Sequence, residues 1–319
     1  MSARATGPRP PLPSPAEMAA LYEEVKNWGR WPDDRGALAQ VTEEHRTAGA
    51  ALVRRGRTVS LAHDLRTGPT ADASHAVVHE MLADGVDREA SRIDGYEASR
   101  DRLTADVHGM EVTHIDALCH VFVEGRMFDG LDAALVTRDG AQRNTIMAAA
   151  EGIVGRGVLL DVPAVHGTDH LDPGAYVSVA DLEAAESAQG CEVRAGDLLI
   201  VSTGRDARRA ANGGALDPFR DGLAGLHPEC LRWLHDRSVA LLGSDGISDL
   251  LPAGPIDGWP FPIHQTAISS MGLMLIDNLR LDDVLAVCAT ERRWEFLLTI
   301  STLRIPGGTG SPVNPIAVF

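Results

Sequence analysis

The sequence predicts a mixed α/β fold in a single domain, and three observations carry that expectation. Short apolar runs bounded by glycine or aspartate, such as 155–161 and 196–202, read as buried strands. Between them lie segments with helical spacing, as at 181–189, where Leu182 and Ala185 share a face and Ser178 or Val179 starts the helix. No internal repeat and no flexible linker interrupts the chain beyond its first residues, and 319 residues supply enough material for one large core.

Residues 1–13 are expected to be a disordered Pro-rich tail (Gly7-Pro8-Arg9-Pro10-Pro11-Leu12-Pro13), because this composition buries too little surface to offset its ordering entropy. The domain proper is expected over 14–319. Ser14-Pro15-Ala16-Glu17 is a capping box with proline at the first helical position, and Met18, Leu21, Tyr22 and Val25 continue at helical spacing to about Lys26. Residues 27–36 (NWGRWPDDRG) form a loop with two tryptophans, and Thr42 opens a second helix reaching about Arg54. The alternation over 57–65 predicts a strand, as do 239–243, 273–276 and 296–305. Helices are predicted over 228–237 and 281–287, the second within reach of a cap from Asn278.

Charge and composition exclude several classes of function. With 29 basic and 45 acidic side chains the net charge is −16, which repels a polyanion, so no nucleic-acid partner is expected. No apolar run approaches the roughly 20 residues of a membrane helix, and no membrane association is expected. The tail lacks the apolar core of a signal peptide, and Cys119, Cys191, Cys230 and Cys288 are widely spaced with no CxxC pair. A reducing, cytoplasmic setting is the expectation.

One segment concentrates the chemistry: His108, His114, Asp116 and His120 fall within thirteen residues. On a strand, His114 and Asp116 project from the same face. Imidazole nitrogen and carboxylate oxygen are donors that suit zinc or manganese, and a histidine titrating near neutrality can act as a general base on water. Cys119, next to His120, is expected to be structural, because neighbours on a strand face opposite ways.

The segment 108–120 resembles the signature of the cyclase family of metal-dependent hydrolases, H-x-G-T-H-x-D-x-P-x-H, the family of kynurenine formamidase and isatin hydrolase. The resemblance extends over Asn27-Trp28-Gly29-Arg30-Trp31, Gly196-Asp197-Leu198-Leu199, Thr203-Gly204 and Gly243-Ser244-Asp245. It continues through Pro262-Ile263-His264-Gln265, Asp277-Asn278-Leu279 and Gly307-Gly308-Thr309-Gly310-Ser311-Pro312-Val313. It implies a swivelling β/β/α fold, in which a mixed sheet partly closes around the active site, and a homodimer or homotetramer acting on a small-molecule substrate.

The resemblance also implies site residues. His114, Asp116 and His264 would hold a divalent zinc or manganese ion, and Asp277 stands where the family has a glutamate. The family's first histidine ligand falls on Met110, a poor ligand for these ions, and its proline after the aspartate is absent. His108 is the nearest substitute, provided that the chain doubles back, which Gly109 permits. His120 is the expected catalytic base, and Trp28 or Trp31 the expected substrate-binding aromatic. The implied activity is hydrolysis of a small amide, lactam or lactone; the alternatives are a biosynthetic cyclase or dehydratase, or a metal-free ligand-binding protein.

Overall fold

The computed structural model describes residues 10–71, 77–86, 95–252 and 256–319. Residues 1–9 of the expected tail lie outside the described residues. At its described end, Leu12 packs against the core and the Pro11 carbonyl is 3.2 Å from His227 Nε2. The capping box is present: Glu17 accepts from the Ser14 amide at 2.8 Å, and the helix runs over Pro15–Glu24. Thr42 caps Glu43–Ala50, and Ser178 caps Val179–Gln189 with Asp181 completing the box.

In chain order the strands begin with β1 (Thr58–Ser60), the paired β2 (Val78–Ala83) and β3 (Arg100–Thr104), and β4 (His114–Asp116). A short pair, β5 (Val136–Thr137) and β6 (Gly140–Ala141), precedes the long β7 (Ile153–Asp161) and β8 (Tyr176–Val177). Then come β9 (Leu198–Ser202), β10 (Gly225–Leu226), β11 (Leu241–Ser244) and β12 (Met274–Asp277). The chain ends with β13 (Glu295–Ile300), β14 (Gly310–Pro312) and β15 (Ile316–Val318).

Nine strands form one mixed sheet, ordered β1-β15-β13-β7-β9-β11-β12-β4-β14, which curls into a half-barrel. Its centre, β7-β9-β11-β12, is parallel, and every neighbouring pair outside it is antiparallel. Parallel strands covered on both faces read as continuous apolar runs, which is why Leu198–Ser202 and Met274–Asp277 are buried at every residue. β13 alternates buried and half-buried positions, as its one-sided packing requires.

Several predicted elements are shorter in the structure. The strand expected over 57–65 keeps its ladder with β15 only over Thr58–Ser60, since β15 is preceded by proline at 315; beyond it Leu61 and Ala62 turn to bond Arg280 and bridge Leu279. β13 stops at Ile300, opposite the first residue of β7. Asn278 does not cap the next helix, Asp282–Glu291, whose N-cap is Leu281 without a side-chain bond. The β2–β3 pair had no clear sequence signal, since every residue of β3 is exposed and polar side chains dominate it. The four cysteines are free, and no helix among the described residues is long and apolar enough to cross a membrane.

Register builds the site. At one end of the sheet Asp277 of β12 lies opposite His114 of β4, and Gly310 of β14 lies opposite Asp116 on the other side of β4. Three consecutive strands thus deliver candidate ligands, or the space for them, to one place.

Candidate metal centre

Asp116, almost fully buried, is the hub. His108 Nδ1 lies 2.8 Å from its Oδ1, His114 Nε2 3.5 Å and His120 Nε2 3.9 Å from the same oxygen, and His264 Nε2 lies 3.4 Å from Oδ2. His264 Nε2 is also 3.2 Å from Asp277 Oδ2. The six side chains form the floor of a cavity of about 210 Å³, walled by Met110, Val121, Ile247 and Phe261. Met110 and Phe261 pack on a separate apolar cluster of Leu223, Ile247 and Leu251, so the wall is supported from behind.

His108 reaches the site because the chain does double back. Gly109 has φ +142°, and residues 105–113 run outside any helix or strand before β4 begins. His108 stacks on His120 with ring centroids 3.6 Å apart, and its Nε2 lies 2.9 Å from Thr309 Oγ1. His120 follows β4 through a turn, its amide donating to the Ala117 carbonyl at 3.0 Å, rather than through a helix. Met110 stands in the wall beside the histidines, an apolar surface where the family pattern has a ligand.

Trp28 and Trp31 lie elsewhere, and neither lines this cavity. Trp28 donates from Nε1 to the Ser269 carbonyl at 2.8 Å with Lys26 over its ring, and Trp31 packs on Phe128. Cys119 is buried, and burial pushes its thiol up to about 11, so it remains protonated and inert at neutral pH.

The electrostatics are those of a centre built for positive charge. Burial opposes ionisation of Asp116, yet hydrogen bonds from His108, His114 and His264 hold it well below the usual carboxylate range. Burial likewise opposes a charge on His114, but Asp116 and Asp277 outweigh it and raise the imidazole to about 9. His264 is raised well above its ordinary value, burial being overcome by Asp277, Asp116 and Asp249. His120 differs: burial pushes it down to about 4 against the pull of Asp116, so it is neutral at pH 7.

Asp249 is a residue that sequence reasoning missed. Fully buried, it accepts from the amides of Ile263 and His264 at 2.8 and 2.9 Å and from His264 Nδ1 at 2.7 Å. It thereby fixes both the start of the helix Pro262–Thr266 and the ring orientation that turns Nε2 towards the cavity. No spacing marks it, because it lies in an irregular turn.

The residues present fit a divalent ion. Two sets have all their ligand atoms within 4.8 Å of one another, His108–Asp116–His120 and His114–Asp116–Asp277. Asp277 Oδ1 is buried with no hydrogen-bond partner among the described residues, an orphan that a cation would satisfy. Nitrogen and carboxylate donors of this kind suit zinc or manganese.

Comparison with known proteins gives the family. The family model described as "Putative cyclase" matches residues 42–248, more than half of the sequence, and the chain belongs to this cyclase family. Among solved structures, a novel cyclase is 28% identical with a TM-score of 0.82, the match covering 92% of this chain and 99% of that one. An isatin hydrolase bound to the product analogue thioisatinate is 18% identical with a TM-score of 0.55, covering 86% and 98%. Isatin hydrolase A from Ralstonia solanacearum is 22% identical with a TM-score of 0.56, covering 86% and 95%. At these identities the two isatin hydrolases share the fold. No curated protein matches the sequence.

Proposed function

We propose that the protein is a metal-dependent hydrolase of a small amide, lactam or lactone. In this reading His108, His114, Asp116, His264 and Asp277 hold a zinc or manganese ion. The observation that carries it is the convergence of four imidazoles and two carboxylates on the floor of one apolar-walled cavity. When bound, such an ion polarises a carbonyl and makes water a stronger acid.

The chain's own residues supply the rest. His120, neutral at pH 7 and part exposed to the cavity, takes a proton from the attacking water and passes it to the leaving group. Asp249 holds His264 in one orientation. Met110, Ile247 and Phe261 exclude bulk water from one side and fit the apolar body of a substrate whose polar end faces the histidines.

Elemental mass spectrometry on protein purified without chelators, followed by a screen of formamides, lactams and lactones in heavy-oxygen water, tests the reading. Bound zinc or manganese that is lost in His114→Ala and Asp116→Ala, with heavy oxygen in the product, supports it. Metal and activity both retained in His114→Ala would overturn it. A cyclase or dehydratase is the second reading, favoured by the likeness to a protein described as a cyclase. Its product would carry no oxygen from solvent.

A further inference from the structure

Asn278 directly follows Asp277, is fully buried, and adopts a left-handed backbone conformation at φ +57°, which asparagine tolerates better than most side chains. Its side chain turns away from the helix that follows and towards the 108–114 turn. Nδ2 donates to the carbonyls of Gly109 at 2.8 Å and Val112 at 3.1 Å, while Oδ1 accepts from an Arg205 guanidinium nitrogen at 2.6 Å. Arg205 donates in turn to the Met110 carbonyl at 2.9 Å, and Thr113 Oγ1 donates to the Asn278 carbonyl at 2.6 Å. The Val112 carbonyl is also 2.8 Å from His114 Nδ1.

The turn at 109–112 has no ladder or helix of its own to hold it. Three of its four carbonyls instead meet two side chains that follow sheet strands, Asn278 just after β12 and Arg205 at the start of the helix after β9. His108 stands at one end of this turn and His114 at the other, and Asp277 immediately precedes the residue that tethers it.

We infer that Asn278 is a positioning residue for the candidate metal centre, its amide locking the turn that carries His108 and His114 to the end of the strand that carries Asp277. The inference rests on the reading of those residues as ligands. Without the two N–H donors, both carbonyls lose a partner and the turn is free to carry His108 away from Asp116.

The test is calorimetric titration of the metal-free full chain with zinc or manganese chloride, for the wild type, Asn278→Asp and Asn278→Gly, each well below its unfolding midpoint. The aspartate variant keeps the size, the left-handed tolerance and the acceptor for Arg205, but lacks both donors. The glycine variant keeps the backbone conformation and lacks the whole side chain. Both should bind metal about ten- to a hundredfold more weakly than the wild type, and amide hydrogen exchange over 109–113 should accelerate. A lowered unfolding midpoint with unchanged metal affinity would assign Asn278 to the fold alone and overturn the inference, as would failure of both variants to fold. A wild type that binds neither ion would overturn the metal centre itself, a result distinct from either.

Discussion

A side-chain carbon at position 310 would lie 2.7 Å from His108 Cε1, so the imidazole occupies space that only Gly310 leaves open. The same carbon would lie 2.7 Å from the Ile115 carbonyl, on the strand opposite, so it has no room to yield in the other direction. Gly310→Ala is therefore expected to push His108 off Asp116. Metal affinity should fall at least about tenfold, with a stability loss of about 1–3 kcal/mol from overpacking. Metal titration and urea unfolding of the variant measure the two effects separately. Unchanged affinity in a folded variant would remove His108 from the ligand set.

Asp249 offers a second test, because it touches the centre only through His264. Asn in its place keeps the shape but loses the charge that faces His264 Nδ1 and two backbone amides. Asp249→Asn is expected to weaken metal binding by about ten- to a hundredfold while leaving the protein folded, as loss of a carboxylate behind a histidine ligand does elsewhere. Calorimetry with far-ultraviolet circular dichroism checks both halves. Full affinity would show that the helix at Pro262–Thr266 orients His264 without help.

These residues also show how far the sequence alone reaches. His114, Asp116 and His120 are legible because their chemistry lies within one short segment, and His264 and Asp277 because the family pattern fixes their order. The turn at Gly109 could be anticipated only as a permission: nothing local to residues 108–114 says which way the chain folds back. Asp249 and Asn278 act across long sequence separations through buried hydrogen bonds that leave no periodic trace. For Asn278, a position three residues before a helix suggested a cap, and tertiary partners prevailed over that local option. Trp28 and Trp31 share the converse limit, since composition marks an aromatic loop without saying which wall it faces.

Stability away from the site hinges on Arg156 of β7, whose side chain is mostly buried. It pairs with Asp197 at 2.7 Å and with Glu295, and donates to the Glu192 carbonyl at 2.9 Å. Burial pushes the Asp197 carboxyl up, and Arg156 with the Arg194 amide is what keeps its charge tolerable. Arg156→Met should cost about 3–5 kcal/mol by stranding that charge, and adding Asp197→Asn should recover much of the loss. Metal affinity should not move, because β9 and β11 separate β7 from β12. Urea unfolding of the single and double variants decides; a loss below about 1 kcal/mol would mean that the pair behaves as an exposed one.

His63 makes stability depend on pH. Burial pushes its imidazole from 6.5 down to about 4, against the pull of Asp206, whose Oδ2 lies 3.3 Å from Nε2, while Arg209, Arg205 and Arg66 add to the depression. The unfolded chain takes up a proton on His63 below about pH 6.5, and the folded protein refuses it until about pH 4. Stability from this group is thus complete above the higher value, falls as the pH drops between the two, and is level below the lower one. The full swing is of order 3 kcal/mol. Glutamine at this position cannot titrate, so His63→Gln should lose less stability than the wild type between about pH 7 and pH 4.5. Urea unfolding of both proteins across that range measures the difference, and parallel curves would show that His63 is free to protonate in the folded state.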